Sequence, residues 1–149
     1  MPSLSLHSPV GDLTIAEDCG EIVALEWGWG SIQESSPLLQ RAKAALDAYF
    51  DTGVLAGDLP LNPHGTPYRK RVWAALRAIP AGQTRTYLDI SRTAGGSPRA
   101  VGGANAANPI PIFIPCHRVV GTGNFGGYSG GDGLPTKRAL LKIEGLAAQ

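Results

Sequence analysis

From Asn108 the chain runs Asn108-Pro109-Ile110-Pro111-Ile112-Phe113-Ile114-Pro115, too apolar to stay in water and too rich in proline to be regular. Proline has no amide proton for a helix interior or a central strand, and its ring clashes with a preceding helical turn. Both are therefore excluded, which leaves a rigid extended run through the core. Residues at the end of such a run are held in a fixed place. This one ends at Cys116-His117-Arg118, where one of only two cysteines is set beside a histidine and an arginine.

The thiolate is the reactive form of cysteine, and neighbouring cations lower a thiol's pKa. A nucleophile needs such activation, so Cys116 is the candidate for covalent chemistry. The pair alone fits a structural cysteine beside a satisfied histidine equally well. Cys19 and Cys116 make neither a disulfide framework nor a four-cysteine zinc site, and the three histidines show no metal-ligand spacing. No nucleotide-binding loop is present, so neither a metal nor a cofactor is expected.

A chain of 149 residues with 43% hydrophobic content is one domain's worth, or one domain with a small one appended. The N-terminus lacks the basic start and apolar run of a signal peptide, and no stretch approaches membrane-spanning length. An intracellular, cytoplasmic protein with a free thiol is the simplest expectation. The net charge of +1 hides a division. Residues 1–68 hold two basic residues (Arg41, Lys43) and nine acidic ones, a net −7, whereas residues 69–149 carry +8. Such a split predicts two functional halves, the second facing an anion, with nucleic acid the leading partner.

The first half reads as an antiparallel hairpin. Leu13-Thr14-Ile15 alternates, Asp18-Cys19-Gly20 turns, and Val23, Leu25 and Trp27 recur at period two. Leu39, Ala42, Leu46, Tyr49 and Phe50 fall at helical spacing and end near Gly53. Trp27 and Trp29 read as packing residues. The Gly/Pro/Asn-rich connection over 54–65 holds the boundary, dividing the chain into residues 1–63 and 64–149.

The second half is rich in helix starts. Thr66-Pro67 opens a helix with Val72, Trp73, Leu76 and Ile79 on its buried stripe. Thr86 with Asp89 resembles a capping box that opens a short helix through Ala94. Gly95-Gly96 makes a turn, and Ser97-Pro98 caps a further helix to about Ala107. This is a helix-turn-helix. Inside its second helix stand Gly102-Gly103, each about 1 kcal/mol worse than alanine, so that face suits close approach of something bulky. Asn105 and Ala106 add no large side chain to it. Arg99 sits in the first turn, where the helix dipole disfavours a cation, and is expected either to reach toward a partner or to pair with Asp89.

These residues resemble the O6-alkylguanine-DNA alkyltransferases. The likeness runs through the Ser8-Pro9-Val10-Gly11 opening, Trp73-Ala74-Ala75-Leu76, Arg99 to Ala104, Asn108-Pro109, Ile114 to Val120, Gly127-Tyr128-Ser129-Gly130-Gly131, Lys137, Leu140-Leu141 and Glu144-Gly145. It implies an α+β architecture: a small N-terminal α/β domain (a β-hairpin plus a helix), then a mostly helical C-terminal domain with the helix-turn-helix. It implies direct-reversal DNA repair, with one irreversible transfer of an alkyl group from guanine O6, or thymine O4, to Cys116. His117 would take the thiol proton through a water, Glu144 would orient the imidazole, and Asn108 would be the hinge. Tyr87 would rotate the nucleotide out and give a proton to the departing base, while Arg99 would fill the gap. The small residues of helix 98–107 would enter the minor groove of the DNA, with Gly96 another contact and Ser97, Ala100 and Thr122 beside its backbone, and Val119, Tyr128 and Ser129 would hold the flipped base. Double-stranded DNA is the implied partner and a monomer the implied state.

Three other readings bear on Cys116. A non-catalytic lesion-binding branch resembles this sequence but lacks the acceptor cysteine. A thiol hydrolase or redox enzyme leaves the helix-turn-helix unexplained, and Cys19 is not spaced as a resolving partner. A transcriptional regulator would need an effector or dimerisation segment, and none is visible.

Overall fold

Alternating leucines and serines at Ser3-Leu4-Ser5-Leu6 form a strand that the hairpin pattern did not include. The structure, a computed structural model, describes residues 1–55 and 57–146. It opens with β1 (Ser3–Leu6), β2 (Leu13–Asp18) and β3 (Glu21–Trp27), an antiparallel sheet in that order. A bulge on β3 at Val23, opposite the Ala16–Glu17 step of β2, pairs Glu17 with Ile22 and Ala16 with Ala24. Val23 is thereby skipped, and Ile22 and Leu25, rather than Val23 and Leu25, enter the core.

Helix α1 (Pro37–Thr52) covers the sheet. The Ser36 side chain accepts from Leu39 N, Pro37 opens the first turn, and Gly53 closes the helix in a left-handed conformation. Leu39, Ala42, Leu46 and Tyr49 are its buried stripe, as the spacing predicted. Part of the connection after α1 lies along β3: Ile22 N donates to Pro60 O and Asn62 N to Ile22 O, both at 2.8 Å.

The C-terminal half keeps closely to the sequence punctuation. Helix α2 (Pro67–Arg77) is capped by Thr66 and buries Val72, Trp73 and Leu76. The Trp73 indole donates to Ala104 O at 2.8 Å and ties α2 to the second helix of the motif. Strand β4 (Arg85–Thr86) leads into α3 (Tyr87–Ala94), whose Thr86–Asp89 capping box has both bonds at 3.0 Å. Gly95 and Gly96 turn at φ +90° and +73°. A Cβ on Gly96 would stand 2.6 Å from the Tyr68 hydroxyl, so both space and backbone require glycine there. Helix α4 (Pro98–Ala106) completes the helix-turn-helix, capped by Ser97.

The proline-rich segment departs from the extended run. Ile112 takes φ +73°, Ile114 N donates back to Ile110 O at 2.9 Å, and Pro111 bridges Ile114. The segment folds into a tight buried turn because β3 pins its start: Leu25 N donates to Pro109 O at 2.9 Å. A single 3₁₀ turn (Cys116–Arg118) comes next. Strand β5 (Val119–Val120) then pairs parallel to β4, and α5 (Leu134–Ile143) ends at Glu144.

The end of α1 abuts the end of α5. A Cβ on Gly53, at φ +78°, would collide with the Ile143 carbonyl oxygen. Gly53→Ala is expected to lower stability by about 2 kcal/mol or more, from left-handed strain plus a backbone collision. Urea denaturation monitored by circular dichroism checks it, and an unchanged midpoint would refute this account of the junction.

Candidate active site

Cys116 begins the 3₁₀ turn and is 6% exposed. It lines a cavity of about 330 Å³, shared by the end of β3 (Trp27), the start of α3 (Tyr87), α4 (Gly102, Asn105, Ala106), the lead-in segment (Asn108, Pro111) and the loop over 127–130. The thiol donates to the Tyr128 hydroxyl at 3.9 Å. Tyr128 stands edge-on to Trp27, with ring centroids 6.4 Å apart. Burial raises the Cys116 thiol above its ordinary value, against the opposing pull of Asn108, Tyr128 and Lys137. The resting thiol is therefore protonated, contrary to the lowering expected from its cationic neighbours.

The reason is where those neighbours point. Arg118 grips Glu144 with both arms, Nε to Oε1 and Nη2 to Oε2 at 2.8 Å each, while its third nitrogen donates to Ile79 O at 2.6 Å. His117 is fully buried and lies 2.7 Å from Glu144 Oε2 through Nε2. Burial alone would raise the Glu144 carboxyl, but hydrogen bonds from His117 and Arg118 outweigh it and hold Glu144 at about 2. Burial pushes His117 down despite Glu144, so the ring is neutral at neutral pH. An ionised carboxylate can only accept, so Nε2 carries the ring proton. Nδ1 is then a bare lone pair, and it has no hydrogen-bond partner among the described residues. A neutral imidazole oriented by a carboxylate thus follows a protonated thiol in the chain.

Asn108, expected as a hinge, bonds through both ends of its amide. Its Nδ2 donates to Ile114 O at 2.8 Å and its Oδ1 accepts from Ile110 N at 3.0 Å, tying the end of α4 to the turn that delivers Cys116. Tyr87, Tyr128 and Ser129 line the cavity. Val119 does not: it is fully buried, and its carbonyl accepts from Lys137 Nζ at 2.7 Å. Asn105, expected on the open helix face, is instead 7% exposed and donates to Cys116 O at 3.2 Å.

Lys137 is the residue whose importance sequence reasoning understated. Its fully buried ammonium donates to the carbonyls of Val119, Phe125 and Gly127, clamping the pocket loop to α5. Burial lowers it to about 8. The signal was present: Lys137, Leu140, Leu141 and Glu144 recur every three or four residues, which puts the lysine on the buried face.

The helix-turn-helix presents a different surface beside the cavity. Gly96, Ser97, Arg99 and Ala100 are exposed, as is Thr122 on a neighbouring turn. Ser97 is occupied as a cap, accepting from Ala100 N at 3.1 Å. Asp89 faces Arg92 rather than Arg99, at 3.9 Å. No membrane-spanning helix exists among the described residues.

Known proteins share both the sequence and this arrangement. Residues 4–63 match the ribonuclease-like domain of 6-O-methylguanine DNA methyltransferase, and residues 67–146 match its DNA binding domain. The methylated-DNA–protein-cysteine methyltransferase of Methanosarcina acetivorans is 40% identical, over 93% of this chain and 95% of its own. The constitutive enzyme of that name from Bacillus subtilis is also 40% identical, over 95% of this chain and 93% of its own. Mycobacterium tuberculosis OGT, solved in complex with DNA, superposes with a TM-score of 0.84 at 38% identity, covering 97% of this chain and 93% of that one. A chain that carries both domain matches in order and keeps 40% identity nearly end to end belongs to the 6-O-methylguanine DNA methyltransferase family.

Proposed function

We propose that Cys116 takes the alkyl group from O6 of a guanine flipped out of duplex DNA, in one displacement that each molecule performs once. The family's activity, direct-reversal repair by alkyl transfer to a protein cysteine, is this chain's activity. The observation that carries the assignment to Cys116 is that its thiol lines the cavity and is followed in the chain by a histidine whose Nε2 is committed to Glu144, its Nδ1 having no hydrogen-bond partner among the described residues. Cys19, the other cysteine, lies exposed in the β2–β3 turn.

The thiol proton passes to His117 Nδ1 through a bridging water, and Glu144 stabilises the imidazolium that forms. The thiolate attacks the alkyl carbon, the C–S bond forms as the C–O6 bond breaks, and guanine departs with the electron pair. Tyr87, which lines the cavity, hands that base a proton. The thioether left behind has no good leaving group, so the thiol is not regenerated.

DNA is the partner, and the base must leave the stack, at a cost of a few kcal/mol. The exposed side of α4 carries Ala100, Gly103 and Ala106, small enough to bring backbone close to the minor groove. Arg99 has no ion pair or hydrogen bond among the described residues, which suits the arginine that occupies the emptied position. The protein acts as a monomer, and the working division falls between residues 63 and 64, where acidic sheet domain gives way to basic helical domain. Val119 contributes to the base pocket through its backbone rather than its side chain.

Intact-protein mass spectrometry after incubation with a duplex holding one O6-methylguanine tests the reading. A stoichiometric gain of one methyl group, mapped to Cys116 and absent in Cys116→Ser, is expected. Selective binding without mass gain would move the protein to the lesion-binding class. Arg99→Ala is expected to slow transfer from duplex DNA by about tenfold or more while leaving reaction with the free O6-alkylguanine base unchanged. Equal slowing on both substrates would remove Arg99 from the flipping step.

Glu144→Gln is expected to cost about 3–5 kcal/mol of stability, because Arg118 loses its buried counter-charge, and to slow transfer about a hundredfold. Glu144 ionises more readily folded than unfolded. Its contribution is therefore complete above pH 4.5 and lost as pH falls toward 2. Acid titration should show this loss in the native protein and a flatter profile in Glu144→Gln.

A further inference from the structure

Cys116, His117 and Glu144 all come from the C-terminal half, yet one side chain from the N-terminal sheet domain reaches them. Tyr49 stands on the last turn of α1, fully buried. Its hydroxyl donates to Glu144 Oε2 at 2.5 Å, across 95 residues of sequence. We propose that Tyr49 is a positioning residue for alkyl transfer, its hydroxyl fixing the Glu144 carboxylate against His117. The proposal rests on the catalytic reading above and adds to it a role for the N-terminal domain.

Which oxygen Tyr49 chooses is the first argument. Oε2 is the atom that also accepts from His117 Nε2, at 2.7 Å, and from Arg118 Nη2, at 2.8 Å. Oε1 has only Arg118 Nε among these contacts. A phenol that merely needed an acceptor would serve the fold equally well on Oε1 or on a backbone carbonyl. On Oε2 it shares the atom that orients the base.

The second argument is that the approach is built into the backbone. Tyr49 O accepts from Gly53 N at 2.7 Å, which closes the helix at the residue that abuts Ile143 O. The last turn of α1 is thereby seated on the last turn of α5, one residue before Glu144. The Tyr49 ring stands edge-on to Phe50, with centroids 5.3 Å apart. Neither the ring nor the carboxylate has solvent exposure in which to rearrange.

The chemical consequence has a definite sign. Each donor on Oε2 draws charge from that oxygen and makes it a weaker acceptor for the His117 proton. Arg118 and Lys137 also face His117 and oppose its protonation, whereas Glu144 favours it; Cys116 and Tyr128 complete the ionisable groups of the site. Without the Tyr49 hydroxyl, Oε2 would hold the imidazolium more strongly. His117 would then stay protonated to higher pH, and the neutral base would be lost earlier as pH falls.

The test measures single-turnover methyl transfer against pH, using the full chain and a duplex with one O6-methylguanine, with mass spectrometry reporting Cys116. Tyr49→Phe keeps the ring and is expected to reach full methylation with the acid limb of its profile moved up by about half a pH unit or more. Replacing Tyr49 by 3-fluorotyrosine preserves packing and strengthens the donor, so its limb should move down; this form covers the case in which Tyr49→Phe folds poorly. An acid limb that stays in place in both variants overturns the proposal, even if thermal stability or the plateau rate falls, because lost packing alone moves no titration. A limb that moves down in Tyr49→Phe overturns it too. Failure of the unmodified protein to methylate Cys116 would instead overturn the catalytic reading itself.

Discussion

A carboxylate with no exposed side-chain surface is the constraint around which the molecule is assembled. Transferring an ion such as Glu144 out of water carries a penalty of several kcal/mol, which only charge-assisted hydrogen bonds can offset. Glu144 receives four, from Tyr49 Oη, His117 Nε2, Arg118 Nε and Arg118 Nη2. Arg118 also holds Ile79 O just beyond α2. The end of α1, the active-site turn and the end of α5 therefore converge on one side chain, and Arg118 links it to the segment just beyond α2. Apolar residues of similar volume commonly stabilise such a place as well or better. They would not, however, fix the proton of His117 on Nε2 and leave Nδ1 bare.

The second structural commitment is the turn before Cys116. A β-branched residue at φ +73° costs of order 1–3 kcal/mol, and Ile112 adopts it in the core. The surroundings leave it little alternative. Asn108 clamps the segment with both ends of its amide, Ile114 bonds back to Ile110, and β3 holds Pro109. Asn105 from α4 then secures the Cys116 carbonyl. The thiol is thus referenced at once to the sheet domain and to α4, which holds the sulfur at a set place.

Local chemistry was legible wherever it was decided locally. Thr66, Thr86 and Ser97 mark three helix starts, and each accepts a backbone hydrogen bond in the position its spacing implied. The two-glycine turn and the Cys-His-Arg run were readable for the same reason. The features that escaped were set by pairing across the chain. The bulge that exchanges Val23 for Ile22 depends on register with β2, and the tight turn at Ile112 depends on the bond from Leu25. Periodicity gave Tyr49 a buried position but not its polar partner, and Lys137 entered only through the resemblance, because their partners lie 95 and 10 to 18 residues away. Arg118 was misread in direction: adjacency to Cys116 in sequence said nothing of a guanidinium turned toward Glu144.

That misdirection clarifies the chemistry. A thiolate made permanently available by a neighbouring cation would also be open to oxidants, since oxidation tracks thiolate character and exposure. Cys116 has neither at rest: it is buried, protonated and donating to Tyr128. The proposed activation rests instead on His117, a neutral imidazole oriented by Glu144. For a protein that is consumed by its own reaction, a nucleophile spent on anything but substrate removes the whole molecule from service. Burial of the thiol and orientation of His117 by a carboxylate that never titrates near neutral pH answer that problem together. The proposed base is held neutral and aimed by contacts made in the same dry interior that keeps the thiol protonated.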